Sequence, residues 1–131
     1  QAVLAQLKNR FELVPVCPEQ LGGLASPREP SERRGDKVFS RLGEDVTAQY
    51  LQGARQALYL AKTFSCSGAL LKEKSPSCGS GQIYDGSFTK TLISGDGVTA
   101  ELLRQNGVTV FGESQIPQLL DWADSIENHN T

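Results

Sequence analysis

The sequence predicts a single α/β domain over residues 1–131, Rossmann-like and three-layered, with a mostly parallel sheet. Three observations lead there. Short apolar runs alternate with longer stretches of helical periodicity, as in a sheet covered by helices. The order strand, helix, strand around residues 48–61 implies parallel pairing through a right-handed crossover. Two runs end in Pro-containing turns that carry a cysteine, and open α/β sheets gather their chemistry where strand carboxyl ends meet.

Taken in order, residues 1–10 read as a helix with Val3, Leu4 and Leu7 on one stripe. The absence of Met and the start inside a helix predict that a natural N-terminus, with one strand, is missing. Residues 11–16 read as a mostly buried strand that Pro18 stops. Residues 20–35, with Gly22, Gly23, Pro27, Pro30 and several charges, read as a loop without regular structure. Residues 37–40 and the turn at Leu42-Gly43 predict a small hairpin. Asp45 or Thr47 is the expected N-cap of a helix over 48–61 whose buried face carries Tyr50, Leu51, Ala54, Leu58 and Ala61. A strand over 67–71 runs into the charged Lys72-Glu73-Lys74 and a Ser-Pro-Ser-Cys-Gly turn. Residues 83–93, rich in Gly, Thr and aromatics, read as an irregular ribbon covering the site. A helix starting at 97–99 and capped by Gly107, a strand over 108–111 and a helix over 116–126, with Leu119 and Trp122 facing the core, complete the chain.

Composition narrows the function. The 131 residues are 38% hydrophobic and 21% charged, with a formal net charge of −2, so no overall field draws the protein to a nucleic-acid polymer or an acidic membrane. No apolar run approaches the ~18 residues of a membrane span, and no leader opens the chain, which predicts a cytoplasmic protein. Three cysteines, an odd number, point to reduced thiols rather than a disulfide framework.

The candidate chemistry centres on Cys17, in Val-Cys-Pro-Glu (16–19), and Cys78, in Ser-Pro-Ser-Cys-Gly (75–79). Two thiols at the ends of neighbouring strands can share a metal or cluster. The alternative is a pair of buried core thiols, but core cysteines need no turn, and Pro18, Pro76 and Gly79 hold these two in loops. A third ligand is required. Cys66 precedes the strand that Cys78 follows, so the strand's length, at ~3.3 Å per residue, separates the two thiols; Cys66 reads as a small buried hydrophobe. His129, the one histidine, lies in a polar tail over 127–131 expected to fray. The third ligand is therefore expected upstream of Gln1. Glu19 and Ser75 each bring a proton-transfer group beside one thiol; their bland alternatives are a loop cap and a local turn bond. Lys72 and Arg28 can meet an anion or merely solvate and pin their loops. Gly95-Asp96-Gly97 lacks calcium-loop spacing, and no Ser-His-Asp set exists with a single histidine.

A series of motifs adds to this. Val-Cys-Pro-Glu-Gln-Leu-Gly-Gly-Leu (16–24), Pro-Arg-Glu-Pro (27–30), Asp-Val-Thr (45–47), Gly-Ala (53–54), Leu-Lys-Glu-Lys-Ser-Pro-Ser-Cys-Gly (71–79), Ile-Tyr-Asp-Gly-Ser-Phe (83–88) and Gly-Asp-Gly-Val-Thr-Ala (95–100) together resemble the thiouracil desulfidase family. The resemblance implies an α/β domain holding a [4Fe-4S] cluster through three cysteines, with one iron open. The second and third ligands fall on Cys17 and Cys78; the first belongs to a Cys-Leu-Leu-Gly type motif expected before Gln1, and Cys66 matches none. It also implies that the open iron takes the sulfur of a thiolated pyrimidine, a small-molecule base, nucleoside or nucleotide, while Glu19 activates water and Ser75 relays a proton to the ring. Sulfide leaves without net redox change. The reading from another class is a non-catalytic iron-sulfur or metal-binding module, a sensor or sulfur carrier, in which Glu19 and Ser75 are structural.

Overall fold

The structure, a computed structural model, describes residues 18–24 and 29–129. The expected helix over 1–10, the strand over 11–16, Cys17 and Arg28 lie outside these. The first described element, α1 (Pro18–Leu21), is one helical turn, so Pro18 begins a helix rather than only ending a strand. Its backbone sits directly on the long helix that follows. A side chain at Gly22 would strike the Gln49 carbonyl, and one at Gly53 the Pro18 carbonyl.

The expected loop over 20–35 gives way to strand β1 (Ser31–Arg34), which pairs antiparallel with β2 (Lys37–Ser40) in the register Ser31↔Ser40 to Arg34↔Lys37. Gly35, at φ 57°, supplies the left-handed residue of the connecting turn. The hairpin partner of residues 37–40 thus precedes them. The Leu42-Gly43 turn instead leads back so that Val46 N–H reaches the Val38 carbonyl at 2.9 Å.

Helix α2 (Thr47–Thr63) agrees with the expected helix, but neither proposed side chain caps it. Val46 occupies the N-cap. The Thr47 hydroxyl instead accepts the Val38 N–H at 2.8 Å, and Asp45 Oδ1 accepts the Thr47 N–H at 3.0 Å. The helix buries Tyr50, Gly53, Ala54 and Ala57, whereas Leu51 is exposed. Gly53 in that stripe reflects backbone contact with α1.

β3 (Gly68–Leu71) follows as expected, then a hairpin of β4 (Gln82–Tyr84) and β5 (Leu92–Ser94), antiparallel in the register Gln82↔Ser94 to Tyr84↔Leu92. The ribbon is therefore regular at its base and irregular at its tip. Helix α3 (Val98–Gln105) ends where Gly107 adopts φ 84°, the αL position glycine favours. Strand β6 (Thr109–Gly112) pairs parallel with β3 from Gly68↔Thr109 to Leu71↔Gly112. After a 3-10 turn (Glu113–Gln115), helix α4 (Ile116–His129) runs three residues past the expected end, taking in part of the tail.

The architecture is mixed α/β. Among the described residues the strands form one parallel pair and two antiparallel hairpins, so the β structure is only partly parallel. Among the described residues, the parallel pair β3 and β6 is joined through α3, and the strand expected to pair through the helix over 48–61 lies outside them. Strand β1, Ser-Glu-Arg-Arg, does not read as a strand in the sequence because its charged residues disguise the alternation of strand burial.

Three apolar clusters hold these pieces. Val38, Val46, Tyr50, Ala54 and Val98 join the first hairpin to α2 and α3. Leu71, Ala100, Leu103, Val108 and Val110 join α3 to the parallel pair. Phe111 and Leu119 pack with Trp122, whose ring lies 5.6 Å from that of Phe111. Leu119 and Trp122 face the core as predicted, and a side chain at Gly68 would come within 2.6 Å of the Trp122 ring. No helix among the described residues is long and apolar enough to cross a membrane.

Candidate functional site

The turn after β3 is held from within and from outside. Lys74 takes φ 72°, an unusual conformation for a side-chain-bearing residue, and swings the chain into Ser75-Pro76-Ser77-Cys78-Gly79. Ser75 Oγ accepts the Ser77 N–H at 3.0 Å and the Cys78 N–H at 3.1 Å. A serine hydroxyl has two acceptor sites and one proton. With both acceptor sites used, what Ser75 can still offer is its O–H. The local turn bond expected for Ser75 is therefore what makes it a donor.

From outside, the turn docks on the N-terminus of α3. Val98 N–H donates to the Pro76 carbonyl at 2.7 Å, Thr99 N–H to the Ser77 carbonyl at 2.8 Å, and Gly97 N–H to the Gly79 carbonyl at 2.8 Å. These carbonyls satisfy helix donors that otherwise lack partners. Gly97 permits the approach, since a β-carbon there would collide with the backbone of Ser77 and lie 2.7 Å from Cys78 N. Gly79 is equally confined, with Ser75 O 2.7 Å from where its β-carbon would be. Asp96 Oδ1 accepts the Gly81 N–H at 2.9 Å, and its other oxygen pairs with Arg104 at 3.2 Å. The Gly-Asp-Gly segment is a brace for the cysteine turn.

Cys78 is half-buried, its sulfur 3.6 Å from Ser77 Oγ, and it packs against the Leu71 cluster. Ser77 and Thr99 are fully buried, with their hydroxyl oxygens 2.8 Å apart. Cys66 is half-buried rather than buried. It stands before β3 and Cys78 after it, with a four-residue strand about 13 Å long between them in the chain. Glu19 lies on α1, the turn pressed against α2 at Gly53. His129 closes α4.

Ser75 also lines a cavity of about 560 Å³ bounded by the first hairpin, the segment 72–76 and the β4–β5 ribbon. Lys72, Lys74, Arg41 and Lys90 line it, together with the aromatic side chains Tyr50, Tyr84 and Phe88. Glu29, Glu32 and Glu73 are there too. Two of these acids are committed elsewhere. Glu32 Oε1 accepts the Gly86 and Phe88 N–H groups at 3.0 and 3.1 Å, and Glu73 accepts the Ser114 N–H and hydroxyl at 2.8 and 2.7 Å. Glu32 thereby secures the ribbon tip as one wall. Asp85, at that tip, has its carboxyl held below the ordinary carboxylate range by hydrogen bonds from the Ser87 hydroxyl and N–H.

Tyr84, Phe88 and Lys90 of the ribbon line the cavity, as does Lys72. Glu32, Asp96 and Thr99 were missed as site-building residues. The motifs at 83–88 and 95–100 mark the segments they hold, but not the partners.

Among the described residues no three His, Cys, Asp or Glu side chains are grouped to hold a metal ion. Among them, Cys78 has the donor chemistry that an iron-sulfur cluster takes. Thiolate is the donor such clusters take, and the doubly anchored turn fixes its position. The donor chemistry at this position fits.

Comparison with known proteins agrees with the motifs. The sequence model of the family described as 2-thiouracil desulfurase matches residues 1–115. The chain is 42% identical over 127 residues to the uncharacterized protein YbbK of Bacillus subtilis (strain 168), covering 89% of this chain and 84% of that one. Among solved structures it resembles the [4Fe-4S]-dependent thiouracil desulfidase TudS, with 44% identity and a TM-score of 0.89 over 96% of this chain and 83% of the other.

Proposed function

The chain belongs to the 2-thiouracil desulfurase family, and on that basis we propose that it is a [4Fe-4S]-dependent desulfidase that removes sulfur from thiouracil. The observation that carries the reading is Ser75. A hydroxyl whose two acceptor sites are filled by Ser77 and Cys78 N–H groups lines the cavity as a donor, three residues from a cysteine held on the same turn.

We assign Cys17 and Cys78 as two of the cluster's cysteine ligands, a set that needs a third cysteine to complete it. Bound there, the cluster would supply a thiophilic Lewis acid able to polarise C=S and take up sulfide. The protein does the rest. Glu19, on the turn that follows Cys17, takes a proton from the attacking water, which has little nucleophilicity of its own at neutral pH. Ser75 donates its O–H to the ring and is reset by the proton taken from water. The balance is one water consumed, C=S converted to C=O and sulfide released.

The cavity supports a nucleotide as the preferred form of substrate. Tyr84 and Phe88 offer faces for a pyrimidine, and Lys72, Lys74, Arg41 and Lys90 offer cations for a phosphate. We read residues 1–131 as one Rossmann-like three-layer domain whose β3–α3–β6 crossover is the described part of its parallel sheet. An odd number of thiols supports a reducing, cytoplasmic setting, and the slight negative net charge supports a small molecule rather than a nucleic-acid polymer as partner.

The test is anaerobic reconstitution of the full-length protein, then sulfide release from 2-thiouracil, 4-thiouridine and 4-thiouridine monophosphate. Release from at least one supports the activity, and faster release from the monophosphate supports the cavity assignment. No release from any would overturn the enzyme.

A further inference from the structure

Ser77 stands between Ser75 and Cys78, and no step above uses its side chain. Its hydroxyl is nonetheless fully buried and meets the equally buried hydroxyl of Thr99 at 2.8 Å. The Cys78 sulfur lies 3.6 Å from the same oxygen. Backbone bonds already tie the two segments, because the Ser77 carbonyl accepts from Thr99 N–H at 2.8 Å and Ala100 N–H at 3.2 Å. Two small apolar side chains would pack here without hydrogen bonds, whereas buried hydroxyls destabilise unless bonded. Their chemistry therefore invites an explanation beyond packing.

The direction of the bonds follows from counting protons. A cysteine sulfur bound to iron carries no proton, so its contact with Ser77 must run from the Ser77 O–H to sulfur. That uses the one proton Ser77 has. The 2.8 Å contact with Thr99 must then run the other way, from the Thr99 O–H to Ser77 Oγ.

We propose that Thr99 and Ser77 form a two-hydroxyl relay that donates to the Cys78 thiolate when it serves as a cluster ligand. It rests on the reading of Cys78 as a ligand. Thr99 polarises the Ser77 hydroxyl, and chains of hydrogen bonds strengthen one another. The bond to sulfur stabilises the more negative cluster state, which raises its reduction potential, and draws density from the ligand, which strengthens the iron's Lewis acidity. Ser77 and Thr99 are positioning residues that act on the substrate only through Cys78.

The experiment is a redox titration of the cluster, followed by its visible absorbance, in the anaerobically reconstituted full-length protein. Ser77→Ala should shift the potential to a more negative value. Thr99→Val, which keeps the shape but not the proton, should shift it in the same direction by less, and Thr99→Ser should restore the wild-type value. A Thr99→Val potential that is unchanged or more positive would overturn the relay, the positive shift meaning that Thr99 had been holding the Ser77 proton. Thermal unfolding is measured beside it, since a merely structural pair would lower the unfolding temperature without moving the potential. Should one variant fail to fold, the other still gives the sign. Cys78→Ser separates the two claims: retained iron absorbance would sink the ligand reading, whereas lost absorbance with an unmoved potential in Ser77→Ala would sink the relay alone.

Discussion

Gly53 faces the Pro18 carbonyl so closely that a β-carbon could not be placed between them. Gly22 stands in the same relation to the Gln49 carbonyl, so the short turn carrying Glu19 and the long helix α2 meet backbone to backbone. The segment that follows Cys17 is thus set by a glycine 36 positions from it. Gly53→Ala should push the turn off the helix, at about 1–3 kcal/mol for an overpacked site. Expected outcomes are a lower unfolding temperature and reduced iron incorporation, read by calorimetry and visible absorbance. An unaffected cluster would show that the Pro18 contact does not position the site.

Ser75→Ala removes the acceptor of two backbone bonds and the proposed proton donor together. Turnover should fall by about 10²–10⁴-fold, the usual range for a general acid or base. Stability should fall by about 1–3 kcal/mol, since two hydrogen bonds of about 0.5–1.5 kcal/mol each are lost. Steady-state kinetics with denaturant unfolding separates the two effects. A loss of stability with turnover retained would return Ser75 to a turn residue.

Gly97→Ala would drive a β-carbon into the Ser77 backbone. The turn must then leave the N-terminus of α3, so both the cluster absorbance and the amide protection of Val98 and Thr99 should decline. Hydrogen exchange checks this, and unaltered protection would contradict the docking.

Lys72→Glu places an opposing charge in the cavity shared with Ser75. The expected outcome is a raised KM for 4-thiouridine monophosphate, little change for 2-thiouracil, and kcat preserved for both, because a phosphate contact away from the reacting ring is uniform binding. Equal effects on both substrates would show that Lys72 does not meet a phosphate.

Asp85 contributes acid-sensitive order at the ribbon tip. Its carboxyl titrates below the ordinary 3.8, chiefly because the Ser87 hydroxyl and then its N–H bind the ionised form. A depressed value stabilises the fold above the unfolded pKa, and this is lost as pH falls through the folded value. Asp85→Asn should therefore lower the urea midpoint at pH 6 and differ less from wild type at pH 2.5. An equal difference at both would exclude the carboxylate as the cause.

Helices α2 and α3 and the strands β3 and β6 were legible in the sequence because periodicity, Gly107 and local apolar runs all agree. Strand β1 was not. Glu32, Arg33 and Arg34 look like a solvated loop, yet Glu32 is buried under two backbone N–H groups. Arg33 reaches the Asp96 carbonyl and Glu101 at 2.8 Å each, and Arg34 donates to the Gly86 carbonyl at 2.9 Å. Their partners lie more than 50 positions away, where no local pattern points. A shorter gap divides the site, 22 positions from Ser77 to Thr99 and 15 from Gly81 to Asp96. Ser75 and Cys78 announce themselves in a five-residue turn, whereas Thr99 and Asp96 gain meaning only when α3 meets that turn.

The most direct measurement is sulfide release by the reconstituted full-length protein and its Ser75→Ala variant, with iron content determined for each. The account predicts sulfide and the oxygenated pyrimidine in equal amounts from wild type, and loss of turnover with the cluster intact in the variant. Equal turnover by both proteins at equal iron content would contradict the role assigned to Ser75, and no sulfide from either would contradict the activity itself.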